Sequence, residues 1–315
     1  MSCHHETIVR DGQTLDVLTD DHGGTRLVVN RLGASPVSFE RRRKDGAWTG
    51  FLWRDGDLSA PASGWNGHCT LMGYFLHRLL NERTTYRGHA MRGGTHSFLR
   101  HKTFPAPKFE VDAAGHASLA YTMTPEGYEP HEYPYRVTLQ LTYSLDPDGA
   151  WRTKFRFESG EPDVSTHVSF GIHPGFAVGS LAGAQIILPP GRYRRHLAPG
   201  NFLSGETEDL VSDGGPFPFD KARLVDSYLL EPLDTAGRVF SVDDPAGGRR
   251  VEIDCAQAPY VTVWSDGHDF VCIEPCWGLP DAHQQVPFEH KAGVQEIAPG
   301  GTLEAGCVVR AGFHG

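Results

Sequence analysis

Arg136-Val137-Thr138-Leu139-Gln140-Leu141-Thr142-Tyr143-Ser144-Leu145-Asp146-Pro147-Asp148-Gly149-Ala150-Trp151-Arg152-Thr153-Lys154-Phe155-Arg156-Phe157-Glu158 is the stretch that decides the fold. Val137, Leu139, Leu141, Tyr143 and Leu145 alternate with Arg136, Thr138, Gln140, Thr142 and Ser144. After the break, Trp151, Thr153, Phe155 and Phe157 alternate with Arg152, Lys154, Arg156 and Glu158. A period of two belongs to a strand with one face buried. Between the runs, proline presets φ and glycine accepts the left-handed region, so Asp146-Pro147-Asp148-Gly149 predicts a turn. The whole reads as an antiparallel hairpin.

Working outward, similar short strands are expected at 119–123, 238–242, 251–255, 260–264 and 270–274, many about ten residues apart with Gly, Pro or Asp between. With 37 glycines and 22 prolines the chain argues against long helices. Leu71, Phe75, Leu79 and Leu80 do fit a helical stripe, but 68–85 is expected to be irregular or extended. No linker-like shift of composition and no internal repeat divides the chain. The expected fold class is all-β, a large twisted antiparallel β-sandwich forming one domain over residues 1–315.

The 315 residues (34.6 kDa) are 39% apolar and 22% charged, as in a soluble globular protein. A net charge of −10 and a pI near 5.9 argue against a nucleic-acid partner, because phosphate binding draws on Lys and Arg. The basic clusters at Arg41-Arg42-Arg43-Lys44 and Arg192-Tyr193-Arg194-Arg195 read as solvated loop charge. No apolar run reaches the length of about 18 residues that a membrane helix needs. Met1-Ser2-Cys3-His4-His5-Glu6 lacks the basic-then-apolar layout of a signal peptide. Six scattered cysteines form no disulfide framework, so reduced thiols and a cytoplasmic setting are expected. Cys272 and Cys276 have no CxxC partner, there is no HExxH, and His167 and His173 lack helix spacing. No metal or cofactor is expected.

Phe270-Val271-Cys272-Ile273-Glu274-Pro275 places a carboxylate inside an apolar strand that Pro275 is expected to stop. Phe270, Cys272 and Glu274 share one face, an environment that raises a carboxylate pKa and suits a general base. Glu274 on a wet edge strand is the plainer alternative. In Ser169-Phe170-Gly171-Ile172-His173-Pro174-Gly175-Phe176, a histidine closed off by proline is expected to end another strand. Two strand ends of one scaffold could bring Glu274 and His173 together as an acid–base pair.

These segments line up with a known pattern. Phe75–Arg100, with Arg78, Tyr86, Gly88, His96 and Arg100, resembles the G-R-x-x-x-G-x-Y-x-x-x-G block that runs on to H-G-F-x-R in the aldose 1-epimerase (galactose mutarotase) family. His173-Pro174-Gly175-Phe176 resembles its second histidine motif. Val261-Thr262-Val263-Trp264 followed by 271–275 resembles its glutamate strand. Phe288-Glu289-His290-Lys291-Ala292-Gly293 and Ala298-Pro299-Gly300-Gly301-Thr302-Leu303 resemble its closing segments. Order and separation hold from about residue 70 onward, closer to the divergent bacterial branch than to the animal enzymes.

The resemblance implies a sugar site in a cleft on one sheet face, built partly by residues 70–100. It implies mutarotation of a hexose or related aldose, with Glu274 as base and His173 as acid, and no cofactor. His96 would bond the ring or carbonyl oxygen, and Arg78, Arg100 and Asp226 would bind the sugar. The family has glycine after the first histidine and before the arginine, where this chain has Ser97 and His77. Arg87, Arg92 and Arg100 add positive charge that could pair with a phosphorylated hexose, or face solvent. Trp264, Trp277, Tyr74 and Phe98 could stack on a pyranose, or simply fill the core. The expected partner is a small sugar or sugar phosphate, with no nucleic acid and no membrane, the protein being a monomer or homodimer. A silent carbohydrate-binding or sensing module, and a glycoside hydrolase, are the alternatives.

Overall fold

A computed structural model describes residues 3–60 and 65–314; Met1 and Ser2 of the N-terminal stretch lie outside it. The hairpin forms as the alternation dictates. Val137–Leu145 pairs with Trp151–Ser159 from Leu145 opposite Trp151 outward, with the expected apolar residues buried. Gly149 takes φ +81° and its N–H donates to the Asp146 carbonyl at 2.8 Å. A side chain there would collide with the Arg41 guanidinium, which donates to the Gly149 carbonyl.

That hairpin sits inside an eight-stranded antiparallel sheet. Its neighbours are Thr302–Phe313, Arg249–Asp254, Val239–Asp244 and Gln185–Ile187 on one side, Ala117–Met123 and Lys108–Val111 on the other. A second eight-stranded sheet runs Thr207–Ser212, Gly191–His196, Tyr228–Pro232, Tyr260–Trp264, Phe270–Trp277, Thr166–Ala177 and Gln295–Ile297, with Cys69–Tyr74 also paired to Thr166–Ala177. Aromatic side chains join the two sheets. Phe170 lies 4.6 Å from Phe157 and 4.9 Å from Phe155, and stacks on Trp277 at 4.8 Å. A five-stranded meander over residues 3–50 packs through Phe39 on Trp151, and Tyr143 donates to the Ala34 carbonyl. Among the described residues the helices are short 3-10 turns only, so the fold is all-β, as expected.

The apolar stripe near residue 75 is buried, but not by a helix. Cys69–Tyr74 is a strand, and an irregular path leads from it to the 3-10 turn Leu80–Glu82. The expected strands appear with ends displaced by up to three residues.

Two expectations fail at prolines. Phe270–Trp277 runs through Pro275, and Thr166–Ala177 runs through Pro174. The register explains why neither stops its strand. Between these central strands Gly171 pairs with Cys276 and Gly175 with Cys272, while the residues between are unpaired. Each proline pairs instead with its outer neighbour, Pro174 with Cys69 and Pro275 with Val261. A residue without an N–H fits where the ladder lapses.

Candidate active site

The lapse in the ladder is the site. Continuing the register from Gly171–Cys276 sets His173 directly across from Glu274. The flanking ladders extend this line sideways, with Thr70 beside His173, Thr262 beside Glu274, and Leu229 beside Thr262. Each comes from a different strand, and same-face neighbours across a sheet point the same way. His173 Nε2 stands 3.4 Å from Glu274 Oε1. His173 is 6% exposed and Glu274 1%, and neither Glu274 oxygen has a hydrogen-bond partner among the described residues.

A cavity of about 420 Å³ opens over this row, bounded among others by Trp65, Arg78, His96, Arg100, Thr262 and Trp264. Trp65 stacks on the His173 ring at 4.6 Å, and Trp264 meets it edge-on at 5.4 Å. Gly175 makes room for that stack: a Cβ there would lie 2.5 Å from the Trp65 ring. The Trp65 indole N–H donates to Thr70 Oγ1 at 3.4 Å. His96 stands edge-on to His173 at 5.4 Å, and His77 lies behind it at 5.6 Å. The two loops carrying these imidazoles are tied, the His96 N–H donating to the His77 carbonyl at 2.7 Å. His77, His96 and Ser97 all take left-handed φ, at 55°, 63° and 65°.

Burial governs the electrostatics. Desolvation pushes the Glu274 carboxyl well above the usual range. Desolvation, aided by His77 and Arg100, takes His173 down to about 3. Desolvation with the nearby His173, His77 and arginines holds His96 well below its ordinary value, and desolvation with Lys291 takes His77 down to about 4. Burial in this site therefore favours the uncharged forms of both Glu274 and His173.

Arg78 is held from behind. Asp281, 2% exposed, donates its N–H to the Arg78 carbonyl at 3.0 Å. Its carboxylate accepts from the Leu80 N–H at 2.7 Å and the Gln285 amide at 2.6 Å, and pairs with the buried Lys291 at 2.5 Å.

Of the residues singled out in the sequence, Glu274, His173, His96, Arg78 and Arg100 come together around the cavity. Asp226 does not: it is exposed beside Arg223 at 3.5 Å, and its neighbour Ser227 is the one that reaches the cavity. Arg87 and Arg92 also lie off the cavity lining. Trp264 lines it, while Trp277, Tyr74 and Phe98 are core. Sequence reasoning missed Trp65, Asn66, Thr262 and Asp266. Thr262 could have been found, since it shares a face with Trp264 on a strand already recognised.

The aldose 1-epimerase family model matches residues 16–310, well beyond the part where motifs were visible. No curated protein sequence matches the chain. Among solved structures, a galactose mutarotase related enzyme from Lactobacillus acidophilus is 20% identical, with a TM-score of 0.78 over 99% of this chain and 98% of its own. A galactose mutarotase-like protein from Lactobacillus casei is 19% identical, with 0.75 over 98% and 100%. Galactose 1-epimerase from Lactobacillus acidophilus NCFM is 13% identical, with 0.70 over 100% of both chains. These likenesses establish the fold, and the family match over most of the length establishes the rest: the chain belongs to the aldose 1-epimerase family of isomerases.

Proposed function

We propose that the protein is a mutarotase interconverting the α and β anomers of a hexose or related aldose, with Glu274 and His173 as its acid–base pair. One observation carries this reading: a buried carboxylate and imidazole face each other at 3.4 Å under a sugar-sized cavity. Shifting the proton that burial favours on Glu274 to His173 makes a carboxylate base and an imidazolium acid without changing net charge. Glu274 then takes the anomeric hydroxyl proton as His173 protonates the ring oxygen, and the C1–O5 bond opens. The pair is then back in the uncharged form that burial favours. Rotation about C1–C2 and the reverse transfers close the ring on the other face. The Nδ1 of His96, buried and unpartnered among the described residues, supports a role for this ring in hydrogen-bonding the oxygen on which charge develops.

Arg78 and Arg100 supply planar donors for sugar hydroxyls, or for a 6-phosphate where the substrate carries one. A glycosidase would need two carboxylates flanking the bond. The group facing Glu274 is a histidine, and Asp266, the other carboxylate at the cavity, is engaged by His268 at 2.7 Å. One domain over 1–315 is supported by an apolar cluster that draws residues from Leu18 to Ala311. A cytoplasmic setting is supported by six unpaired cysteines.

The test is anomer exchange of free and 6-phosphorylated aldoses, followed by NMR. Glu274→Gln is expected to lose about 10²–10⁴-fold in rate with its melting temperature kept. A folded Glu274→Gln protein with full turnover would sink the assignment. Sugar binding without exchange in the unmodified protein would favour a silent binding module.

A further inference from the structure

The strand that supplies Glu274 also supplies Cys272 on the same face. His173, Cys272 and Glu274 are all buried, and one ligand atom of each lies within 4.8 Å of the others. The thiol packs against Gly175: a Cβ built there would be 3.4 Å from Cys272 Sγ, beside the Trp65 ring. Two further observations suggest a ligand. Both Glu274 oxygens are buried without a hydrogen-bond partner among the described residues. Its 3.4 Å approach to His173 Nε2 is long for a hydrogen bond. It is, however, the separation of two donors on one tetrahedral ion: metal–nitrogen and metal–oxygen bonds near 2.0–2.2 Å place the donors about 3.4 Å apart.

We infer that His173, Cys272 and Glu274 form a binding site for a thiophilic divalent cation of the Zn²⁺ class, and that its occupancy switches the enzyme off. The donor set suits such an ion. Thiolate and carboxylate neutralise a dication, imidazole completes three protein ligands, and the cavity leaves the fourth position open to water or a sugar hydroxyl. Coordination displaces the thiol proton and the carboxyl proton of Glu274, and both leave to solvent. Burial that makes a lone carboxylate costly makes a charge-neutral complex favourable. Inhibition follows because the ion occupies the lone pairs that the proton transfers use. The inhibitory consequence rests on the mutarotase reading; the binding does not.

The experiment uses the full chain, stripped of metal and titrated with Co²⁺ and Zn²⁺. Co²⁺ is expected to produce a near-ultraviolet thiolate-to-metal absorption band that Cys272→Ala lacks. Zn²⁺ is expected to suppress anomer exchange in the unmodified protein, a chelator to restore it, and Cys272→Ala to need at least about tenfold more Zn²⁺ while keeping its basal rate. If the alanine variant does not fold, Cys272→Ser keeps the volume and must also lose the band. Absence of the band in the unmodified protein, or the same band in the Cys272 variants, overturns the site. A band with full exchange activity overturns the inhibition alone. A band in a protein that exchanges no sugar leaves the site standing and defeats the mutarotase reading.

Discussion

Gly175 takes no unusual backbone angle, so alanine is compatible with its strand and would even reduce the entropy of the unfolded chain. What alanine cannot do is share space with the Trp65 ring, 2.5 Å from the position of its Cβ. Gly175→Ala is therefore expected to push Trp65 off His173, change tryptophan fluorescence, and lower anomer exchange at least about tenfold, a near-attack geometry being sensitive to small displacements. Unfolding free energy should fall by about 1–3 kcal/mol, the cost of forcing extra bulk into a filled site. Unchanged exchange with altered fluorescence would show that the stack does not hold His173 in place. The glycine was visible in the sequence as part of His173-Pro174-Gly175-Phe176. Its reason was not, because Trp65 reaches it from a segment with no periodic pattern.

Among the elements, the 279–291 loop is tied to the 78–80 segment through Asp281. Removing one partner of a buried ion pair leaves the other charge uncompensated, at a cost of about 3–5 kcal/mol. Asp281→Asn is expected to destabilise the protein on that scale in denaturant titrations and, with the fold intact, to raise KM more than it lowers kcat, since the proposed role of Arg78 is to bind sugar without moving a proton. Equal losses in kcat and kcat/KM would make Arg78 part of the chemical step. What the sequence announced at this scale was what local periodicity can carry. The 137–158 alternation predicted a hairpin in register, and Tyr260–Trp264 was placed to the residue. Pro174 and Pro275 were misread as stops because a missing N–H is equally compatible with a strand's end and with a gap in one of its two ladders. Only the identity of the neighbouring strands decides between these. Asp226 was misplaced by one residue: Ser227 takes φ 59° at the end of its 3-10 turn and reaches the cavity in its stead.

Across the molecule, the 51–55 segment joins the five-stranded meander to the site sheet. The Trp53 N–H donates to the Gly175 carbonyl at 2.7 Å, and the Ala177 N–H to the Phe51 carbonyl at 3.0 Å. Asp55 braces that segment, one carboxylate oxygen accepting from the Phe39, Phe51 and Leu52 N–H groups. Desolvation nevertheless raises Asp55 from 3.8 to about 6. With its pKa higher folded than unfolded, the native state binds more protons between these values, so stability contributed by Asp55 falls as pH rises from about 4 to 6 and is flat outside that window. The full span is no more than about 3 kcal/mol. Denaturant titrations from pH 4 to 7 should show this slope, and Asp55→Asn should remove it. A slope that survives the substitution would assign it to other groups.

The gap between the two central strands has a consequence in time. His173 and Glu274 stand 101 positions apart in the chain (274 − 173), on strands that run unpaired where the two residues meet. No hairpin brings them together early, and loop closure over such a distance must be completed by the surrounding ladders first. Anomer exchange should therefore return late on refolding from denaturant, no sooner than the near-ultraviolet signal of the packed aromatic residues, and well after far-ultraviolet strand signal has recovered. In a chain emerging from synthesis, the 137–158 hairpin can form long before residue 274 exists, yet the meeting of His173 with Glu274 waits for the last quarter of the sequence.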